Sequence, residues 1–588
     1  MRRRMAFACA TLAMATAISG TTAMAANGGF KTSRPSMLTP VKAGVTVTPL
    51  LTVGDVFGDS GFRFEAIPDG ISLRVRGQGR VDLFVNHETS KVPFPFNSTT
   101  PTASNGESDF DNSQVSHLVL SRNSAGVLDG SFAIPSSGGF QRFCSNFLAT
   151  AKEGFTRDIL FTNEESPDYV FRQEDSWPPP VGDPDEEENG VTIAYDVRTG
   201  QYHTVYGMGR FNHENNVAIP GYDDLVVLSG DDTFTSGTLT LPPGPNPATS
   251  APAQSQLYSY IASDTDSLLE DEGDLWAFVS DNSSFTDYYD FTPGSTQSIT
   301  GHFIKVPKNI ATGKNPDGSE LMSADVGYPA PDGGWQTDLR TTGPAVPIDG
   351  PQWVLEYWSH LNHVFQFVRV EDIAYDKRPG MGNVVYFADT GRATAGDPGA
   401  NKSTNGRIWK MVLDPDDPTQ VDSLSILLDG DDSAVQTPGE IHQPDNVETT
   451  ATGLLVTEDP GGNNQFPANS ADPNATTARL WYVPFSSPTS AQVVAKIDQS
   501  ADEGPTDVGP APTPDLPFGN WGSWETTGIV DASAAFGAGA YLINVQAHSL
   551  WIEKAPGPDT FIDAETDNPD FTYKREGGQL LLIRIPGI

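Results

Sequence analysis

Six short runs of β-branched and apolar residues in this chain each end in acidic or amide-bearing side chains. Leu83-Phe84-Val85 leads into Asn86-His87-Glu88, Ile159-Leu160-Phe161 into Asn163-Glu164-Glu165, and Val226-Val227-Leu228 into Asp231-Asp232. Val384-Val385-Tyr386-Phe387 leads into Asp389, Leu454-Leu455-Val456 into Glu458-Asp459, and Leu542-Ile543 into Asn544, Gln546 and His548. Strands arranged radially would carry all six ends to one place, and oxygen ligands converging there would form a site for hard cations.

A second, aromatic-rich strand follows several of these runs at variable distance, as in Val191–Asp196, Gln256–Tyr260, Gly406–Met411, Arg479–Val483 and Gly578–Ile583. A polar-ended strand, a loop and an aromatic strand with a turn make the outline of a propeller blade. Helical periodicity is scarce, and 57 Gly and 47 Pro imply many turns. The expected fold is therefore all-β, a propeller of about six blades with long inserted loops; a large β-sandwich is the competitor. Residues 1–25, with Arg2-Arg3-Arg4, an Ala-rich apolar stretch and a small-x-small end at Ala23-Met24-Ala25, read as a signal peptide. Residues 26–588 then form one domain, with insertions expected near 92–113, 233–254, 282–350 and 500–526. The expected location is secreted or periplasmic, by a general or twin-arginine route, and no later stretch is long and apolar enough for a membrane span.

The net charge is −41, from 35 basic and 76 acidic residues. Nucleic acid and anionic membranes would be repelled. An acidic solvated surface accounts for much of this charge, and metal ligation would account for a minority of the acids. Only Cys9 and Cys144 occur, and Cys9 lies in the expected leader. A single remaining thiol is either a buried small hydrophobe or a thiolate ligand, which would select iron, zinc or copper over calcium.

Shorter motifs add candidates. Asn86-His87-Glu88 and Asn212-His213-Glu214 repeat one tripeptide, in which His and Asn could orient a ligating Glu88 or Glu214. Glu164 and Glu165 alternate across a strand, so one of them faces any given site. Arg369 and Glu371 share a face of an extended segment, and a guanidinium can grip phosphate with two hydrogen bonds. Pro444-Asp445-Asn446 and Glu458-Asp459 flank a short strand. His360 and His363 read as structural. Neither Gly-x-Ser-x-Gly nor a Lys-containing phosphate loop occurs.

The order Asn86-His87-Glu88, Cys144, Asn163-Glu164-Glu165, His213-Glu214, Arg369-Val370-Glu371-Asp372-Ile373-Ala374-Tyr375, Pro444-Asp445-Asn446, Glu458-Asp459 resembles the PhoX-type secreted alkaline phosphatases. That resemblance implies a six-bladed propeller with iron and calcium at its centre, hydrolysing small phosphomonoesters without a covalent protein nucleophile. It implies Cys144 as an iron ligand, Glu164 or Glu165, Glu214, Glu371, Asp445 and Glu458 as ligands of iron or calcium, and Arg369 and Asn86 as phosphate contacts. Glu88 and Asp459 complete the set of candidate ligands. Phe161-Thr162-Asn163 departs from the family's Gly- and Trp-rich stretch with a Cys before the paired Glu, which implies a divergent branch. The expected function is an exported metal-dependent phosphoesterase. The alternatives are a calcium-only phytase-like or lactonase-like hydrolase, and an acidic calcium-binding propeller without activity.

Overall fold

The apolar runs are strands covered on both faces. The computed structural model describes residues 28–88, 113–166, 169–170, 187–188, 190–233, 238–242, 249–250, 253–336, 347–391, 405–431, 439–460, 477–499, 524–553, 560–563 and 574–588. Within these, each run is the second strand of a four-stranded antiparallel unit. Blade I is Pro68–Arg76, Arg80–His87, Gln114–Ser121 and Val127–Ile134. Blade II is Phe143–Ala149, Ile159–Glu164, Thr192–Asp196 and Gln201–Val205. Blade III is His213–Ile219, Leu225–Asp231, Leu257–Ala262 and Asp274–Ser280. Blade IV is Val370–Tyr375, Val384–Asp389, Arg407–Leu413 and Gln420–Asp429. Blade V is Pro444–Thr449, Gly453–Glu458, Arg479–Pro484 and Gln492–Ile497, with Leu38–Pro40 on its outer edge. Blade VI is Glu525–Asp531, Ala540–Glu553 and Lys574–Arg584, completed by Thr46–Thr52 from the other end of the chain.

The first strand of each blade touches the first strand of the next, and blade VI returns to blade I, so the described residues form a closed ring of six. This is the propeller that the periodic runs predict. Each interface between neighbours has its own buried apolar cluster. Alternate residues of one strand therefore serve two interfaces: Phe84 packs toward Phe143 and Leu160 of blade II, whereas Leu83 and Val85 join Leu542 and Leu582 of blade VI. Burial on both faces explains why the runs are continuously apolar instead of alternating. At about 1.5–3 kcal/mol for each fully buried Val, Leu, Ile or Phe, these clusters dominate the cohesion of the ring.

Part of the expected insertion 282–350 is ordered secondary structure. Ser298–Lys305 is a strand that pairs with both Asp274–Ser280 and Gln420–Asp429, so blades III and IV are fused into one nine-stranded sheet. The expected leader 1–25, most of 92–113 and 500–526, and much of 233–254 lie outside the described residues. Among the described residues no helix is long and apolar enough to cross a membrane.

Candidate metal centre

Where each inner strand begins, its pairing with the second strand slips by one residue. Asp69-Gly70, Cys144-Ser145, Glu214-Asn215, Glu371-Asp372 and Asp445-Asn446 each stand two against one, and in blade VI the extra residue is Gly528, after Thr527. A bulge bends its strand and re-aims a side chain. Repeated in six blades, it brings Asp69, Cys144, Glu214, Glu371 and Asp445 together at one end of the ring. Gly528 has φ 41°, and a Cβ there would lie against the Asp69 carbonyl, so only Gly fits this close approach of blades VI and I.

Three sets of ligand atoms converge. Asp69, Glu88 and Cys144 form one, Cys144, Glu165 and Glu214 a second, and Glu214, Glu371 and Asp445 a third, with the atoms of each set within 4.8 Å of one another. Cys144 and Glu214 each belong to two sets, so the three form a chain. The Cys144 thiol donates to Asp69 Oδ2 at 3.0 Å, and Gln546 Nε2 donates to Asp69 Oδ2 at 2.9 Å and to Glu88 Oε1 at 2.6 Å. Ser145 Oγ donates to Glu214 Oε1 at 2.8 Å, while Glu214 Oε2 is buried with no donor among the described residues. Burial raises Asp69 to about 6, against hydrogen bonds from Cys144 and Thr527. Burial first, and neighbouring carboxylates second, raise Glu214 and Asp445 well above the usual range; burial and Asp69 do the same to the Cys144 thiol. Glu165 and Glu371 are also raised by burial, even though Arg142 and Arg369 oppose the shift. Like charges this close cannot all ionise unless cations lie among them. A buried acceptor without a donor, Glu214 Oε2, and a mixed thiol and carboxylate donor set both fit bound metal.

Two arginines border the cluster at equivalent places, each one residue before an inner strand. Arg369 contacts Asp232 at 2.8 Å, Glu371 at 2.6 Å and Asp459 at 3.6 Å. Burial acts against its charge, and the Asp232 and Glu371 carboxylates more than offset this. Arg142 sits farther from its acids, 3.9 Å from Glu88 and 3.7 Å from Glu165, and its side chain is one-third exposed.

The other expected site residues are placed differently. Glu164 accepts the Gln141 backbone N–H at 2.9 Å, and Glu458 accepts the equivalent N–H of His442 at 2.9 Å. Asp389 receives the N–H groups of Val368 and Arg369 in the same manner. The last residue of these second strands thus caps the segment entering the inner strand, and the following residue, Glu165 or Asp459, faces the arginines. Glu458 is further held by Arg479 and Trp481. Asn86 commits its amide hydrogens to Cys144 O at 2.7 Å, Ser145 O at 3.1 Å and Thr162 Oγ1 at 2.8 Å. Asn163 and Asn544 occupy the same position and donate to Glu214 O and Asp69 O, so three blades are stitched to the ligand-bearing residue of the next.

The two Asn-His-Glu tripeptides are not equivalent. The first ends a second strand and the second enters an inner one, so Glu88 and Glu214 reach the cluster from different positions. His87 bonds Ala66 O and Ser116 Oγ, and His213 bonds Ser229 Oγ and Gly209 O; neither orients its Glu. Burial lowers them to about 4 and about 3, which keeps both neutral. The sequence reading missed Asp69 and Arg142, and it placed Asp232 at a converging strand end without pairing it with Arg369. Pro68-Asp69-Gly70 matches Pro444-Asp445-Asn446 in form, which is a signal that could have located Asp69.

No protein-family model and no curated protein matches this chain. Among solved structures it is similar to Pseudomonas fluorescens PhoX in complex with vanadate, a transition state analogue, with a TM-score of 0.54 and 14% sequence identity over 95% of this chain and 98% of that one. At this identity the likeness is one of fold, a distant structural relationship to the PhoX propeller.

Proposed function

We propose that this chain is an exported metal-dependent phosphoesterase that hydrolyses small phosphomonoesters at the axial cluster, a distant member of the PhoX type. The observation that carries this reading is the chain of three ligand sets joined through Cys144 and Glu214, with Arg142 and Arg369 beside it. The first two sets contain the thiol and suit iron, and the all-carboxylate set of Glu214, Glu371 and Asp445 suits calcium. Bound cations would neutralise phosphate oxygens and make water a competent nucleophile near neutral pH.

The residues of the chain supply orientation. Arg369 gives Nε and Nη2 to Asp232 and Nη2 to Glu371, so its guanidinium would reach a phosphoryl group through Nη1, the end nearest Asp459, and stabilise charge developing on it. Arg142, more exposed than Arg369, would close on the same anion from blade II. Asn86 acts from behind, fixing the carbonyls of Cys144 and Ser145. In this reading Glu165, Glu214, Glu371, Asp445, Asp69, Glu88 and Cys144 hold metal, Asp459 and Asp232 position Arg369, and Glu164 and Glu458 keep the strand ends in place.

Elemental analysis of purified protein, followed by hydrolysis of an aryl phosphate, tests the proposal. Iron with calcium and turnover that is lost on chelation is the expected result. Calcium alone with no hydrolysis would replace it with the acidic calcium-binding scaffold, and calcium alone with turnover would replace it with a calcium-only hydrolase.

A further inference from the structure

The other end of the ring carries a cleft of about 360 Å³ between the turns of blades II, III and IV. It lies where the inner strands finish, as Tyr375 does four residues after Glu371, and so on the face opposite the metal centre. Its size is within the range of small-molecule pockets. Its walls include the Tyr222 and Tyr375 rings and Pro220, Pro379 and Pro415, and its basic residues are Lys152, Lys377 and Arg378.

Most polar atoms here are already committed. Tyr222 donates to Asp414 O at 2.9 Å, Tyr375 to Glu153 at 2.6 Å, and Asn383 to Leu413 O at 2.7 Å. Lys377 pairs with Glu448 at 2.5 Å, and Arg378 pairs with Asp376 at 2.5 Å while its guanidinium covers the Phe485 ring. Lys152 is the exception. Its ammonium lies 5.0 Å from the Tyr375 ring centroid, and among the described residues no carboxylate is within ion-pair reach of it. In a chain with 76 acidic residues against 35 basic ones, a lysine set beside a second lysine with no carboxylate in direct contact is unusual; Glu153, Glu448 and Asp531 act on it only from farther away. Although it is exposed, its partial desolvation in the cleft, and then Lys377, lower its pKa against the opposing Glu153, Glu448 and Asp531. The charge of an anion placed in the cleft would offset both effects. What the cleft leaves uncommitted is therefore an ammonium without an ion pair, resting over the buried Tyr375 ring, and the surfaces of Tyr222 and the prolines.

We propose that this cleft is a second binding site, which takes a small organic anion with a flat apolar body. The anionic group would lie on Lys152 and the flat body against Tyr222 and the prolines, beside the ammonium that rests on Tyr375. The site is separate from the metal centre and does not depend on the phosphoesterase reading.

Calorimetric titration of the full-length, metal-loaded protein with 2-naphthoate tests it. One saturable site is expected. Lys152→Met should weaken binding at least tenfold without changing aryl phosphate hydrolysis, since Lys152 is exposed and remote from the cluster. Tyr222→Ala should weaken it in the same direction, and 2-naphthol, flat but uncharged, should bind wild type at least tenfold more weakly than naphthoate. Arg369→Ala should leave naphthoate binding unchanged. The proposal is overturned by absence of saturable binding, by equal binding to wild type and Lys152→Met, or by loss of binding in Arg369→Ala, which would put the anion at the metal centre.

Discussion

Glu458 and Asp445 lie on adjacent strands of blade V, and replacing each carboxylate by its amide should give opposite results. Glu458 is fully buried and receives the Arg479 guanidinium at 2.7 and 2.8 Å, Trp481 Nε1 at 2.8 Å and the backbone N–H groups of His442 and Arg479 at 2.9 Å. Glu458→Gln keeps the shape but turns an amide NH₂ toward these donors and leaves Arg479 buried without its counter-charge. Breaking a buried pair in this way costs about 3–5 kcal/mol, enough to lower the melting temperature by several degrees. Metal content should not change, because Glu458 belongs to none of the convergent ligand sets. Asp445 is raised well above the usual carboxylate range by burial and by Glu525, Asp69 and Asp459. Burial among other carboxylates favours its protonated form in metal-free protein, so Asp445→Asn should disturb the stability of that form far less than Glu458→Gln does, while removing a proposed ligand. Melting curves with and without chelator, combined with metal analysis of each variant, check both. Metal loss with unchanged stability in Glu458→Gln would refute the separation of capping and ligating acids and make Glu458 a ligand.

Further outcomes follow from the same geometry. Asp69 is raised from 3.8 to about 6, so its contribution to the stability of metal-free protein is complete below about pH 3.8 and is lost as pH rises through 6; cations replace those protons, and the rise in melting temperature on adding metal should be larger at pH 8 than at pH 5. Cys144→Ser removes the atom shared by two ligand sets, so it should lower metal stoichiometry and abolish any thiolate-to-iron absorption, while native holoprotein should resist thiol reagents. Arg369→Ala should lower turnover about two to three orders of magnitude with metal content retained, and Arg369→Lys should recover part of it. Asn163→Ala frees the Glu214 carbonyl and should weaken metal binding, read by competition with a chelator, more than it lowers melting temperature.

The fold is legible because a propeller strand faces two neighbours. Leu83-Phe84-Val85 or Leu454-Leu455-Val456 has no polar side to hide, and the polar residues concentrate where the strand emerges at the axis. What is not legible is which of two adjacent acids is directed there. Period-two alternation states that Glu164 and Glu165 oppose each other, and only the register with Phe143–Ala149 decides that Glu165 joins Cys144. Bulges carry no strong residue signature, so Asp69 passes unnoticed beside richer motifs unless Pro68-Asp69-Gly70 is set against Pro444-Asp445-Asn446. The shared letters of Asn86-His87-Glu88 and Asn212-His213-Glu214 mislead for the same reason, since identical tripeptides occupy non-equivalent strand positions. Arg142 was hidden by the prominence of Cys144 two residues later.

The last blade borrows Thr46–Thr52 to finish its sheet, pairing it with Lys574–Arg584. Joining segments more than five hundred residues apart costs roughly 5–6 kcal/mol of chain entropy by the logarithmic loop law, and that cost falls on a single event. Until it happens, blade VI lacks its edge and Asp69 lacks the partners Thr527, Asn544 and Gln546. A newly made chain therefore has no complete binding centre at any intermediate length. If the cluster holds metal as proposed, capture at full strength would wait until synthesis and closure are over, and loading would belong to the compartment in which the ring finally shuts. A circular permutant that carries residues 28–57 after Ile588 would make this closure local, and should refold faster while assembling the same cluster.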